Sequence, residues 1–548
     1  MCNSSNFVYL ATHLLIGHAS AQSPDWMWAR SGIGADYDQA TAVASDSLGH
    51  VIMAGYFASD SVDFGGITLH NNTPGFDDLF IVKYTADGSV AWAKSLGGNF
   101  DDKAYAVSTD AAGNILLAAN FASTTITVGD TSFTNAGSPG DILLVKFGPD
   151  GSVLWATREG GPSLEIPYAC TFDHSGNMIV AGRFSSNSIT FGSTTLLQAG
   201  SMDVFVVKYD AEGNVLWASG AGGGSNDEAY AVVTDVADNV ILAGYYTQEA
   251  DFGTITLPNP GLANIFIAQC DAVSGDFLWA KEVASDGDER ALAIALDTDD
   301  HIYAAGFFQG DSLPLGATTL FSTDFDNGWL ARFDVNGEPE WAHALNARSK
   351  VQGITVANEA VYACGVFRED SLVYGDDILP IDGGSDLFLL KSSLSGDPRW
   401  IAKQTNDGES DEDARALSAD PSGLLLVAGM FDSDLVTFGN AELVNSNGYD
   451  AFVIKTGDTD VGLSDGPSMT PLVLFPNPND GRFSVVIPPG AVQLDIIDPL
   501  GRFIPLRRLE RIFGTMEFNL PYLTPGAYIL RMSTAGHVHS TRFLVGCL

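Results

Sequence analysis

The sequence predicts an all-β chain built from a tandem repeat, on three observations. Glycine is abundant (59 of 548 residues) and charged residues make up only 17%. Phe, Tyr, Trp, Val and Ile recur in short runs punctuated by Asp-Gly and Gly-Asn pairs, the pattern of many strands joined by tight turns. Trp-Ala or Trp-Ile pairs return at Trp28, Trp92, Trp155, Trp217, Trp279, Trp341 and Trp400, spaced by 59 to 64 residues. Such a period is the mark of a repeat architecture, and the chain is longer than one growing core accommodates.

Two further series keep the period. Gly55, Ala119, Gly182, Gly244, Gly306, Gly365 and Gly429 each stand two residues before an aromatic, and Lys83, Lys146, Lys208, Gln269, Arg332, Lys391 and Lys455 form the other. Each unit reads as four strands, in the second unit 104–110, 114–121, 141–147 and 152–158. Four strands per unit, seven times, predicts a seven-bladed β-propeller over residues 22–457. Small residues such as Ala104, Ala106, Ala229 and Ala231 suit a first strand nearest the axis, and the Trp is expected to fill the wide outer space between blades. On that reading Trp92→Ala costs about 3–5 kcal/mol, as large core truncations do. Asp-x-x-Gly turns place Gly49, Gly113, Gly176 and Gly423 where φ > 0 is needed, and units four and five put Asp238 and Asp300 there, a residue that tolerates this conformation. Phe-Gly pairs at 64–65, 191–192, 252–253 and 438–439 mark a long connection between the second and third strands. The seventh unit stops at residue 455 without a Trp strand while the mature chain begins with one (25–30). The N-terminal strand is therefore expected to complete the last blade and remove an open edge.

The units, such as Asp203-Val-Phe-Val-Val-Lys-Tyr followed by Gly213-Asn-Val-Leu-Trp-Ala, resemble the SBBP-type β-propeller repeats of bacterial exported proteins over residues 25–457. The resemblance implies a propeller and says little about ligand. Units four to six depart from the chain's own consensus at Asn264, Gln269, Trp329 and Ser349, so any function of the rim is expected to be asymmetric.

Residues 7–21 are a short apolar stretch ending Ala19-Ser20-Ala21, which fits a secretory signal peptide over 1–21. A polar stretch at 458–471 reads as a linker to a second domain, 472–548, whose strand-like runs suggest an Ig-like β-sandwich. Its motifs are Phe475-Pro476-Asn477-Pro478 with Gly481, then Leu494-Asp495-Ile496-Ile497-Asp498 with Leu500-Gly501-Arg502, then Leu523 with Gly526-Ala527-Tyr528-Ile529-Leu530. In that order they resemble the type A sorting domain of the type IX secretion system of Bacteroidota. The resemblance implies Sec export, passage through the outer membrane with the secretion machinery as partner of 472–548, and a secreted or cell-surface protein.

The net charge of −42 is uneven: 472–548 hold seven Arg against five Asp or Glu. So acidic a main domain excludes nucleic acid as a partner, and no later run reaches the ~20 apolar residues of a membrane span. Five cysteines without CxxC spacing support neither a zinc site nor a disulfide framework, and Cys170 and Cys364 read as small core residues. A monomer is expected.

One ring of carboxylates recurs at the entrance to the first strand: Asp38, Asp102, Glu165, Asp227, Glu289 and Glu412, broken by Ser349. Near the axis these could converge on Ca²⁺ or a basic ligand, or they cap the same turn in every unit. No other cofactor or metal is expected, and no catalytic residue is assigned. A second acidic series, Asp46, Asp110, Asp173, Asp235, Asp297 and Asp420, begins the hairpin turns and reads as structural. The expected function is a non-enzymatic exported scaffold presenting a rim or funnel to glycan, protein or surface components. The alternative is a glycan-active hydrolase or lyase with its site at the mouth, for which His343, Arg348 and Lys350 of the divergent sixth unit are the residues to inspect. A polar cluster concentrated at one divergent unit would favour the enzyme.

Overall fold

The computed structural model describes residues 24–457 apart from 138, 260–261, 323–325, 369–370, 407–409 and 446. In the C-terminal part it describes 474–475, 482–487, 491–497, 503–508, 514–520, 526–534 and 538–545. The expected signal peptide and linker lie outside the described residues, as do Cys2 and Cys547. Contacts divide the chain into two units, 1–459 and 460–548, and every described element is a β-strand.

The larger unit repeats one antiparallel motif. In the first repeat Asp38–Ser45, Val51–Phe57, Asp78–Tyr84 and Val90–Leu96 form a sheet in that order, and the second repeats it from Asp102–Thr109 to Val153–Glu159. The first strands of successive repeats pack on one another in cyclic sequence, the last, Glu412–Ala419, returning to the first, Asp38–Ser45. Strand Asp25–Gly32 adds to Asp450–Gly457 as the outer strand of the last sheet. This circular, all-β organisation fits a β-propeller.

Local chemistry follows the sequence closely at the turns. Gly49, Gly113, Gly176 and Gly423 have φ between 76° and 81°, and Asp238 and Asp300 sit at 65° and 61°. The connection between second and third strands, by contrast, is a hairpin of its own, such as Ser188–Phe191 with Thr194–Leu197. The Phe of each Phe-Gly pair packs against the third strand, with Phe191 and Phe205 ring centroids 5.2 Å apart.

Neighbouring repeats are joined at their outer edge by Trp and Lys together. Trp217 Nε1 and Lys208 Nζ both donate to Ala272 O of the next repeat, at 3.2 and 2.9 Å. Trp92 and Lys83 converge likewise on Pro149 O. The Trp ring lies on that turn's glycine, where a Cβ on Gly275 would come within 2.4 Å of Trp217. The outer Trp residues are unequally covered, however: Trp217 is buried and Trp92 only half-buried. Trp217→Ala is therefore expected to cost about 3–5 kcal/mol and Trp92→Ala less, an ordering that denaturant midpoints of the two variants will check.

The second acidic series and the Lys series prove to be partners. Lys83 to Asp46, Lys208 to Asp173 and Lys455 to Asp420 are ion pairs of 2.8–2.9 Å, and each member is buried. Two opposite charges recurring with one period carried that signal in the sequence.

The fifth and sixth repeats depart from the pattern. A single strand, Pro339–Ala357, is both the outer strand of one and the inner strand of the next, joining them in a seven-stranded sheet. In the first two repeats a glycine stands where the chain leaves the outer strand, so close to the third-strand acid that a Cβ would collide: Gly97 on Asp78, Gly160 on Asp141. In the fifth repeat the acid is replaced by Asn327, whose amide donates to Leu345 O and Ala347 O. A carboxylate cannot make those bonds, and they hold the backbone extended.

In the C-terminal unit the described strands form two antiparallel sheets. One holds Leu474–Phe475, Arg482–Ile487 and Gly514–Asn519; the other orders Phe503–Arg508, Ala491–Ile497, Gly526–Thr534 and Val538–Val545. Phe483, Val485, Ile496, Leu520 and Leu530 are buried. Of the motif residues, 476–478, 481, 498, 500–502 and 523 lie outside the described residues.

Candidate functional site

Six first strands carry a one-residue β-bulge at the same place, shown by register shifts between Ala40 and Ala42, Ala104 and Ala106, Ala229 and Ala231, Ala291 and Ala293, Val351 and Gly353, and Ala414 and Ala416, and the third has its shift there between Ile166 and Ala169. The recurring glycine follows from this. A Cβ on Gly244 would lie 1.9 Å from Glu228 O, and one on Gly365 1.9 Å from Lys350 O. Bulges re-aim side chains, and the bulged residues Thr41, Tyr105, Tyr230, Gln352 and Arg415, with Tyr168 of the third repeat, line a channel of about 520 Å³ between the first strands. Sequence reasoning missed them, although the residue between two alanines was an available signal for Thr41, Tyr105, Tyr230 and Arg415.

The channel is chemically lopsided. On one side Tyr105, Tyr168 and Tyr230 pack edge-on or tilted, with centroids 5.6 and 4.8 Å apart. Arg183 Nε donates to Tyr168 Oη at 3.1 Å, and Arg290 lies 4.2 Å above the Tyr245 ring. Burial raises all three channel tyrosines above the ordinary phenol range, so they remain neutral. On the other side Arg348, Lys350, Gln352, Arg368, Asp413 and Arg415 line a cavity of about 380 Å³, which shares Gln352 and Arg415 with the lining of the channel. Arg415 Nε stands 3.1 Å from Asp413 Oδ2, Gln352 donates to Asp413 Oδ1, and Lys350 lies 3.5 Å from Asp326. Burial raises the Asp413 carboxyl, against the opposing pull of Arg415.

Of the sixth-repeat residues singled out from sequence, Arg348 and Lys350 line this cavity and His343 does not. His343 sits on the outer part of its strand, 2.6 Å from Gly396 O and beside Trp341.

The carboxylate ring does not turn into the channel. All six members are buried. Asp38 accepts from Ser59 Oγ at 2.8 Å, Asp102 from Ser123 at 2.6 Å, Glu165 from Ser186 at 2.5 Å, and Asp227 from the Thr247 N–H at 3.0 Å. Glu289 accepts from Ser285, and Glu412 from Ser433, Gln404 and Asn406. Each lies instead at a seam between repeats. A third-strand acid of the preceding repeat faces Asp38 (Asp450), Asp102 (Asp78), Glu165 (Asp141), Asp227 (Asp203) and Glu412 (Asp386). Burial first, and that neighbour second, push Asp38, Asp102, Asp227 and Glu412 up to about 7. Convergence on one axial cation is thus replaced by separate pairs. Among the described residues no group of three or more His, Cys, Asp or Glu is arranged to hold a metal ion. Cys270 and Cys364 are buried, whereas Cys170 is half-buried and lines the channel.

Comparison with known proteins assigns the C-terminal unit. Residues 473–546 match the secretion system C-terminal sorting domain. The protein is accordingly exported through the type IX system to the cell surface or extracellular space. An uncharacterized WD repeat-containing protein of Acanthamoeba polyphaga mimivirus is 22% identical over 534 residues, covering 79% of this chain; the chain spans 38% of that relative's length. Among solved structures, Sqt1 from Chaetomium thermophilum aligns over 74% of this chain and 97% of its own at 11% identity and a TM-score of 0.38. An acylaminoacyl peptidase of Pyrococcus horikoshii aligns over 83% and 59% at 11% identity and a TM-score of 0.37. These similarities assign no activity to the chain.

Proposed function

We propose that the chain is an exported, non-enzymatic seven-bladed β-propeller, closed by its N-terminal strand, whose channel mouth binds a glycan, protein or other surface component. The C-terminal unit, read as a β-sandwich, is its address for the secretion machinery. One observation carries the binding reading: the bulges bring three tyrosines into one side of the channel and Gln352 and Arg415 into the other, so a repeating fold acquires an asymmetric lining. Such a lining suits recognition, since a few convergent polar groups in a concave site fix a ligand's orientation. The repeat resemblance and the sorting domain support an origin among Bacteroidota, Sec export and action outside the cell. No cofactor enters the reading, and Ca²⁺ would act only at the seams.

The melting temperature of the full chain against polysaccharides and Ca²⁺ tests this, because a ligand selective for the folded state raises it by mass action. A glycan-dependent rise without product is the expected result. No rise with any polysaccharide overturns the glycan form of the reading, and a rise with Ca²⁺ alone returns attention to the seams. The second reading, a glycan-active hydrolase or lyase, is favoured by one feature, the polar cluster concentrated at the divergent sixth repeat. Release of reducing ends or unsaturated sugars would establish it in place of the first.

A further inference from the structure

We infer that the channel mouth at the sixth and seventh repeats takes an anionic carbohydrate chain, a polymer whose sugars carry carboxylate or sulfate groups; this rests on the binding reading above. The lining of the side cavity is four cations, Arg348, Lys350, Arg368 and Arg415, against two carboxylates, Asp326 and Asp413. In a chain with 26 Lys and Arg against 68 Asp and Glu, a local cationic excess is a reversal of the prevailing charge. A low-dielectric cleft lined by one sign focuses its field on a ligand of the other. Two of the cations are guanidinium groups brought together from different repeats, Arg368 from the sixth and Arg415 from the seventh. Planar guanidinium forks match carboxylate and sulfate oxygens better than a point charge does.

The remainder of the lining selects a sugar polymer over a small anion. Gln352 and Arg415 line both the cavity and the channel with Tyr105, Tyr168 and Tyr230. Lys103 and Tyr105 line both the channel and a third cavity of about 550 Å³ beside Phe100 and Ile166. Neighbouring concavities that set cations beside neutral phenols offer charges for anionic groups and, between them, aromatic surface with hydroxyls for the ring. Lys103, ion-paired with Asp77 at 2.7 Å, lies 4.6 Å above the Tyr56 ring.

The test is calorimetric titration of the full chain with oligomers of polygalacturonate, of the same polymer fully methyl-esterified, of dextran sulfate and of polyglutamate. Binding is expected for the uronate or the sulfate, falling as salt rises from about 0.05 to about 0.5 M. The ester should bind at least about tenfold more weakly. The double variant Lys350→Gln, Arg368→Gln, whose melting temperature is checked against the parent, should lose about tenfold or more per charge removed. Equal affinity for acid and ester, polyglutamate binding as tightly as uronate, binding of neither acid, or a parent-like double variant each overturns the inference. If the ester binds as tightly as the acid and Tyr168→Ala abolishes that binding, the anionic class fails while the binding reading stands. Loss of all saccharide binding sinks both.

Discussion

Deletion of residues 24–31 is expected to leave a protein that melts well below the parent and aggregates on concentration. The strand Asp25–Gly32 pairs along Asp450–Gly457 from Asp25 opposite Gly457 to Gly32 opposite Ala451. It also reaches forward to the first repeat: Trp28 Nε1 donates to Ala86 O at 3.1 Å and Arg30 Nε to Gly88 O at 2.7 Å. Trp28 and Ala29 are buried. With half a dozen backbone hydrogen bonds at about 1 kcal/mol each and a large aromatic truncated at about 3 kcal/mol, the loss is about 9 kcal/mol. That is comparable with the whole stability of a domain. The strand left at the edge reads Asp-Ala-Phe-Val-Ile-Lys-Thr-Gly and is buried throughout in the intact protein. An uncovered edge of that kind pairs with other chains. Scanning calorimetry with size-exclusion chromatography decides the matter; a monomeric deletion variant melting with the parent would show that the ring does not depend on its closing strand.

Whatever repeats was legible from the sequence, and what does not repeat was legible only as departure. Trp, Gly and Lys recur because they meet the same obligations at each repeat: a Trp to cover the next turn, a Gly opposite a bulge, a Lys beneath an Asp. Seven-fold recurrence hides meaning too. The six ring carboxylates resembled an axial ligand set because period alone says which residues are equivalent, not which way they face. Asp102 turns into its own Ser123, while its neighbour Lys103 reaches the channel. Ser349 was visible as a break in the series, but the consequence, a continuous strand 339–357 flanked by a cavity, depends on Asn327 donating to carbonyls of the following segment. That is a long-range hydrogen bond no periodicity encodes. The channel lining was the least legible part because the bulged position is not uniform: Tyr at 105, 168 and 230, but Thr41, Gln352 and Arg415 elsewhere.

The seams between repeats make stability expected to fall as pH rises from about 5 to about 8. Asp38, Asp102, Asp227 and Glu412 are carried up to about 7 in the folded protein, by burial first and then by their neighbouring acids. In the unfolded chain they titrate near 4. Between those values the folded state binds the extra protons, so the stabilisation is complete below about 4 and is lost as pH passes through about 7. From pH 5 upward about two pH units of that interval remain to be lost, or about 3 kcal/mol, so one such seam lowers the melting temperature by roughly 3 °C in a unit of this size. Asp46, Asp297 and Asp420 act in the opposite sense. Burial alone would raise them, but hydrogen bonds from Lys83, His301 and Lys455, with backbone N–H groups, hold them low. Their contribution is lost only on acidification towards pH 4 and below, which places the maximum where the two titrations meet, near pH 4. Asn264 shows that a neutral side chain is accommodated at this place, since it occupies in the fourth repeat the position Asp203 holds in the third. Asp203 Oδ1 is buried without a hydrogen-bond partner, and a Cβ on Gly222 would touch both it and Asp227 Oδ2. Asp203→Asn should therefore relieve one seam and flatten the alkaline decline, gaining stability at pH 8 relative to the parent more than at pH 5. Melting curves of both proteins across that range provide the check: a melting temperature that climbs steadily to pH 8, or a parallel decline in the variant, would mean that the seams hold no proton.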